Sequence, residues 1–449
     1  MMRADILRLA WPVFIGQLAI MANGIIDTVM AGQMSARDLA SVGLGSSIYV
    51  SVYVSLMGVL LALTPIAAHH FGAGRMTQIG ASFWQAIWVA LALSLPGCLA
   101  LSWSTPWLML AAAPPELGAQ VDAYLNATAL GVPAALIFRC FYAVNTAISR
   151  PKVVMTINLL GVAAKFPLNH LFMHGSESLG LPALGGAGCG LASSLIAWCS
   201  VGVAGVWLLR DTRYRPFALR QPIAPRLREM SELLKLGVPI GASYLVEVTS
   251  FTFMAIFVAR FGTVAMASHQ ITANLTGVVY MLALALANAT STLAAQAIGA
   301  GDPMRARAVS ITGLRIAMTL AALTGLLLWT LRGPIAAAYS NDAAVIAATL
   351  PLLGALALFV VFDSLQTQIG YILRAYKIAT LPMVVCVVSM WGVGLGGGYL
   401  LTVSSDPAGP LGALHGSRAG ALGFWVAGVA SLALASAGLA LVLRRTWRR

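Results

Sequence analysis

The chain has 449 residues, 59% of them hydrophobic and only 9% charged, whereas a soluble domain is roughly a quarter charged. A soluble globular enzyme is excluded on that ground, and twelve membrane spans of roughly 20 to 25 residues would fill about 240 to 300 positions, leaving no room for a sizeable extramembrane domain. The net charge of +13 would suggest nucleic acid in a soluble protein; here the basic residues lie between apolar runs, so they read as topological and no nucleic-acid partner is expected.

Taken in chain order, the apolar runs predict helices over 8–32, 39–71, 79–103, 120–147, 152–174, 186–209, 233–259, 265–299, 308–331, 343–373, 379–401 and 419–443. This is the pattern of an all-α polytopic membrane protein. The first run, after Arg3, Asp5 and Arg8, is too long for the core of a signal peptide and reads as a retained helix. Prolines 65, 96, 133, 167 and 382 fall inside runs and predict kinks, which a packed bundle tolerates when neighbours satisfy the freed carbonyls. The five cysteines form no CxxC pair and are odd in number, so they read as small packing residues.

With the N-terminus in the cytoplasm, that side receives Arg3, Arg8, Arg75, Arg150, Lys152, the six arginines between 210 and 228, Lys235, Arg305, Arg307, Arg374, Lys377 and the Arg-rich tail. The other side receives only Arg37, Arg260, Arg332 and Arg418. The asymmetry predicts both termini in the cytoplasm. The stretch 210–229 is the only long polar connection and reads as a solvated basic linker that also touches anionic lipid.

An offset of 227 residues aligns the chain with itself at two places. ILRLAWPVF (6–14) meets LLKLGVPIG (233–241), and TPIAAHHFGAG (64–74) meets STLAAQAIGAG (291–301). Two matches at one offset argue for duplication. Six helices separate equivalent positions, so both halves enter the membrane in the same direction and their pseudo-two-fold runs along the membrane normal. The expected domains are 1–209, the linker 210–229, and 230–449, with a site in the cleft between halves.

No lysine follows a glycine, so no Walker A loop is present. The stretches GGAGCG (185–190) and GVGLGGG (392–398) read as close helix packing. More informative are carboxylates inside apolar runs, because a charge there costs at least ~2.5 kcal/mol and persists mainly where it functions or pairs. Glu247 lies midway along the seventh predicted helix, and Asp363 eleven residues before Arg374 in the tenth. Both sit roughly 17 Å inside the same end. Two acids facing each other there can hold a proton or a small cation such as Na⁺ and release it when an organic cation competes. Asp27 in the first helix has Met254 as its repeat partner, so the acids are not duplicated; the alternative is that acids pair with buried bases, Arg139, Lys165 or Arg315.

His170 and His174 read as an interfacial pair, and His269 with Gln270 and Asn274 as a polar strip that could line a cleft. Tyr244, Phe251, Tyr280, Met281 and Phe359 would suit flat lipophilic cations.

Segments LAWPVFIGQ (9–17), DTVMAG (27–32), PLNHLFMHG (167–175), LGGAGCGLASS (184–194), ASHQITAN (267–274), QAIGAGD (296–302) and the stretch from Asp363 through LRAYK (373–377) together resemble the multidrug and toxic compound extrusion (MATE) family, NorM-type branch, over nearly the whole length. The resemblance implies two six-helix lobes, alternating access, and export of cationic amphipathic drugs and dyes against Na⁺ or H⁺, from a bacterial cytoplasmic membrane and as a monomer. Neither enzyme activity nor a cofactor is implied. Glu247 and Asp363 match the family's C-lobe cation site and Asp27 its N-lobe acid; Asn169 matches an asparagine of the fifth helix, and Ser193 stands where threonine is usual. Two positions depart: Lys165 replaces an asparagine beside Asp27 and implies a built-in cation, and Phe359 replaces a tyrosine. Rival readings are a lipid-linked oligosaccharide flippase, which needs a more cationic cleft than Arg139, Lys165 and Arg315 supply, and an intramembrane hydrolase, for which no nucleophile motif is present.

Overall fold

The structure is a computed structural model that describes residues 2–110, 114–404 and 420–448. Arg418 and His415 lie outside the described residues. Helices dominate: α1 (Met2–Met34), α2 (Ala36–Leu60), α3 (Leu63–Gly72), α4 (Met76–Ser102), α5 (Pro115–Ala129), α6 (Val132–Ala147), α7 (Pro151–His174), α8 (Gly186–Arg210), α9 (Leu227–Ala259), α10 (Thr263–Gly299), α11 (Pro303–Thr330), α12 (Ala343–Ala375), α13 (Thr380–Val387) and α14 (Gly420–Arg448). Among the described residues the only β feature is an isolated bridge, Ser176 to Leu181.

Among the described residues ten segments are long and apolar enough to cross a membrane, α2 and α3 counting as one span and α13 continuing through π-helical turns to Thr402. The pair α5 and α6, bent by 43°, makes an eleventh if it is one span. The twelfth expected span is α7, which at 24 residues is long enough. It is not among the ten, and it carries Lys152, Lys165 and Asn169.

Proline explains the bend. Pro133 has no N–H for the carbonyl of Ala129, four residues earlier. That carbonyl accepts instead from the Cys98 thiol at 3.3 Å, while Trp198 Nε1 donates to Leu130 O at 3.0 Å and Ser194 Oγ to Ala127 O at 2.6 Å. Neighbouring helices thus satisfy the break. Pro65 follows the α2–α3 junction, where Leu61 O accepts from the Thr64 N–H at 3.2 Å, whereas Pro96 and Pro167 lie within continuous helices.

The glycine stretches pack as expected. A Cβ on Gly398 would collide with the Phe424 ring, and one on Gly188 would fall 2.6 Å from the Phe172 backbone. The N–H of Gly186 donates to Asp38 Oδ1 at 2.7 Å, tying the start of α8 to α2.

Two compact units form: Met1–Ala10 with Ala242–Ala294 and Asp302–Arg449, and Trp11–Gly241 with Ala295–Gly301. The division cuts across α1, α9 and α10, and the basic stretch 210–229 belongs wholly to the second unit. Within that unit the repeat shows itself directly. A Cβ on Gly72 would strike Gln296 O, and one on Gly299 would strike His69 O. Residues 72 and 299 are repeat equivalents, as are 69 and 296, so the contact is reciprocal, as a two-fold between repeats requires. We expect Gly299→Leu to lower the thermal unfolding midpoint in detergent, because overpacking against a backbone that cannot retreat costs about 1–3 kcal/mol.

Most residues of the 210–229 stretch are exposed, as a solvated linker's would be, but its backbone is tied to α4. Trp84 and Trp88 Nε1 donate to Leu219 O and Ile223 O at 3.1 and 2.9 Å, and the Gln85 amide both donates to Ala224 O and accepts from the Arg226 N–H. Tyr214 and Phe217 are buried. The carbonyls of Leu219 and Ile223 meet indole donors on α4, which makes the stretch a strap.

Asp211 anchors its start, accepting from Arg150 Nη2 at 2.6 Å and from the Arg213 N–H at 2.9 Å. The Arg150 hydrogen bond holds this carboxyl below its usual 3.8, against the opposing effect of burial. A carboxyl with a depressed folded value contributes stability in full above its ordinary value and loses it as pH falls through the lowered one. Asp211→Asn is therefore expected to unfold earlier than the wild type at neutral pH, with the gap between their melting curves closing once the pH is taken below 3.8.

Candidate functional site

In the unit built from Trp11–Gly241, three helices meet around Asp27. Helix α1 supplies the acid, α7 supplies Lys165 and Asn169 at i, i+4 spacing on one face, and α8 supplies Ser193 and the carbonyl of Cys189 one turn earlier. Lys165 Nζ lies 2.9 Å from Asp27 Oδ1, 2.5 Å from Ser193 Oγ and 3.1 Å from Cys189 O. An ammonium has three protons, and all three find oxygen. Asn169 Nδ2 adds a second donor to Asp27 Oδ1 at 2.7 Å. The Lys165 side chain is 1% exposed and that of Asp27 11%, so the ammonium is closed to solvent and the carboxylate nearly so. Of the two readings of Asp27, pairing with a buried base is the one observed.

Arg139 and Arg315 hold none of the candidate acids. The Arg139 guanidinium stacks on the Tyr142 ring at 4.2 Å, and Arg315 is exposed.

The other unit contains Glu247 and Asp363, on α9 and α12. The structure sets Asp363, 7% exposed, within the field of the Glu247 charge. Glu247 accepts a hydrogen bond from the Tyr280 hydroxyl on α10 and lies within the field of the Arg374 guanidinium. Arg374 is sandwiched by aromatic faces, 4.3 Å from the Tyr371 ring and 5.3 Å from that of Tyr244. The hydroxyls of these two tyrosines are 2.7 Å apart. Two carboxyls, one guanidinium and three phenols therefore share one cluster, in which Asp363, Tyr244 and Tyr371 are buried and Glu247, Tyr280 and Arg374 are half-buried. With both acids ionised the cluster carries one net negative charge, the condition under which a small cation or a proton is taken up.

The remaining expected lining residues divide. Phe251 and Phe359 meet edge to face at 6.1 Å, and Phe359 packs on Trp425 at 5.4 Å. They border a cavity of about 50 Å³, room for a water or two, whose share of liquid volume is about 30 Å³, but not for a dye. His269 is buried against Trp425 at 5.9 Å, whereas Gln270 and Asn274 are exposed. The expected strip is split, because one residue's step of about 100° turns Gln270 away from His269 and Asn274, one turn on, returns to nearly the face of Gln270. Tyr280 and Met281 pack beside Leu284 and Tyr371. The rings of His170 and His174 lie 4.5 Å apart.

Sequence reasoning missed Tyr371 and Arg374 as members of the cluster, treating Arg374 only as a topological charge. A signal was available. Tyr244 precedes Glu247 by three residues and Tyr371 precedes Arg374 by three, which puts each pair on one helix face.

Comparison with known proteins agrees with this architecture. The family model described as MatE matches residues 12–171 and again 239–400, two matches whose starts are 227 residues apart, the offset of the internal repeat. "Probable multidrug resistance protein NorM" of Aromatoleum aromaticum is 40% identical over 443 residues, covering 98% of this chain and 93% of the relative. The protein of the same description from Chromobacterium violaceum is 37% identical over 446 residues, covering 98% and 93%. Among solved structures, the crystal structure of the eukaryotic MATE transporter AtDTX14 superposes with a TM-score of 0.86 at 16% identity, covering 98% of this chain and 95% of that one. At that identity the likeness concerns the fold alone.

Proposed function

Because the chain belongs to the MATE family, NorM branch, we propose that it is a secondary active multidrug efflux antiporter, exporting cationic amphipathic drugs and dyes in exchange for Na⁺ or H⁺ by alternating access. The single observation that carries this reading is the pair of acids, buried Asp363 and half-buried Glu247, with its tyrosine and arginine collar. A net negative cluster inside apolar helices attracts cations and tolerates no permanent vacancy of charge. Arrival of the coupling ion reduces the negative charge that holds an organic cation, so the two compete and exchange. The curated relatives are described as multidrug resistance proteins, which agrees with this chemistry.

On this reading the chain is a monomer in the bacterial cytoplasmic membrane with both termini in the cytoplasm, and residues 1–209 and 230–449 act as the two functional lobes. Tyr244, Phe251, His269, Gln270, Asn274, Tyr280, Met281 and Phe359 contribute to drug recognition. The Asp27, Lys165, Asn169 and Ser193 cluster is structural, since its cation is covalently attached. A flippase is disfavoured because Lys165 is consumed by Asp27.

The test is ethidium movement in proteoliposomes under a Na⁺ gradient at equal pH, then under a pH gradient without Na⁺. Drive by either ion is expected and names it. No movement under both, with the protein folded, would overturn the antiport reading.

A further inference from the structure

A strongly basic surface closes the end of α8. Arg210 is its last residue, and Arg220 folds back so that Nε and Nη2 donate to Leu208 O and Leu209 O at 3.0 and 2.7 Å, capping the carbonyls that the helix end leaves open. Arg150 and Arg213 converge on Asp211 at the next position. Both oxygens of Asp211 are thus taken, one by the Arg150 guanidinium and one by the Arg213 backbone N–H, and Arg210, Arg213 and Arg220 lie next to it at the helix end. Among the described residues Arg210, Arg213 and Arg220 have no ion-pair partner, and all three are exposed.

Directly beneath this charge runs an outward-facing apolar groove of about 580 Å³, lined by Gly202, Val203, Val206 and Trp207 and ending at Arg210 and Asp211. Gly202 makes the groove: a Cβ there would find no heavy atom within 4 Å. The strap holds the geometry rigid, since Tyr214 donates to Asn145 Oδ1 at 2.5 Å and lies under the Arg150 guanidinium at 4.7 Å. Because α8 is apolar enough to span a membrane, the groove lies along lipid tails and its charged end at the level of headgroups, where an indole such as that of Trp207 is at home.

We propose that the end of α8 is a binding site for one anionic phospholipid, with an acyl chain in the Gly202–Trp207 groove and the phosphodiester against Arg210, in the field of Arg213 and Arg220. Charge complementarity selects the occupant. A zwitterionic lipid gains the groove but carries its own ammonium into a cluster of guanidiniums, whereas an anionic one gains both. The site depends on the membrane character of the chain and stands apart from the transport reading.

The experiment is native mass spectrometry of the purified full chain after incubation with equal parts of phosphatidylglycerol and phosphatidylcholine. Wild type is expected to retain phosphatidylglycerol preferentially. Arg210→Gln should lower that preference about fivefold, the worth of one surface cation near an anionic headgroup. Gly202→Trp, which fills the groove without touching a charge, should lower retention of both lipids while the unfolding midpoint stays put. Equal retention of the two lipids by the wild type, or an unchanged preference in Arg210→Gln, overturns the proposal. So does displacement of the bound anion by inorganic phosphate together with no effect of Gly202→Trp, which would assign the site to a free anion.

Discussion

Replacing Lys165 by methionine is expected to destabilise the protein by about 3–5 kcal/mol, among the largest single effects available in this chain, because it strands Asp27 as a buried charge without its partner. Asn169 still donates to Asp27 Oδ1, but one neutral amide does not replace an ammonium. Asp27→Asn is expected to be costly as well, leaving the Lys165 charge against only Ser193 and the Cys189 carbonyl. The double variant, Lys165→Met with Asp27→Asn, is expected to recover most of the loss, since a buried pair exchanged as a unit is often neutral. Thermal unfolding of the four proteins closes the cycle. If the two single losses simply add in the double variant, the pair is not energetically coupled and its assignment as the structural core of that unit fails.

How much of this was legible beforehand depended on which signal each residue carried. The spans were readable because a charge costs more inside a run than outside it, and the repeat because Gly72 and Gly299 must both let a backbone approach. Lys165 as the partner of Asp27 was readable only through the family resemblance, since the residues alone left Arg139, Lys165 and Arg315 open and the two helices lie far apart in the chain. Arg374 was not: an arginine near a helix end satisfies the topological rule, and only the fold shows that its guanidinium turns inward onto Tyr371 and Tyr244. The strap was opaque for a related reason. Its hydrogen bonds come from backbone carbonyls meeting Trp84, Gln85 and Trp88, more than 130 positions earlier, and backbone groups carry no sequence signature. His269 was misplaced relative to Gln270 because adjacent residues on a helix never share a face.

That cluster gives the second prediction. Neutralising both acids, Glu247→Gln with Asp363→Asn, leaves Arg374 and its tyrosines in place and turns the local charge from net negative to net positive. Ion-gradient-driven ethidium transport in proteoliposomes is expected to vanish, and equilibrium ethidium binding to weaken by more than about tenfold, since a unit charge roughly 8 Å away at an effective dielectric near 20 is worth about 2 kcal/mol. Adding Arg374→Gln separates the two effects. The triple variant has no charge left in the cluster, so binding should recover in part, while the response to either gradient stays absent because no group remains to exchange an ion. Gradient-driven transport by the double variant at wild-type rate would mean that coupling resides elsewhere. Unrecovered binding in the triple variant, with the protein folded, would instead mean that the acids hold drug by shape and hydrogen bonds, and that their charge serves the coupling ion alone.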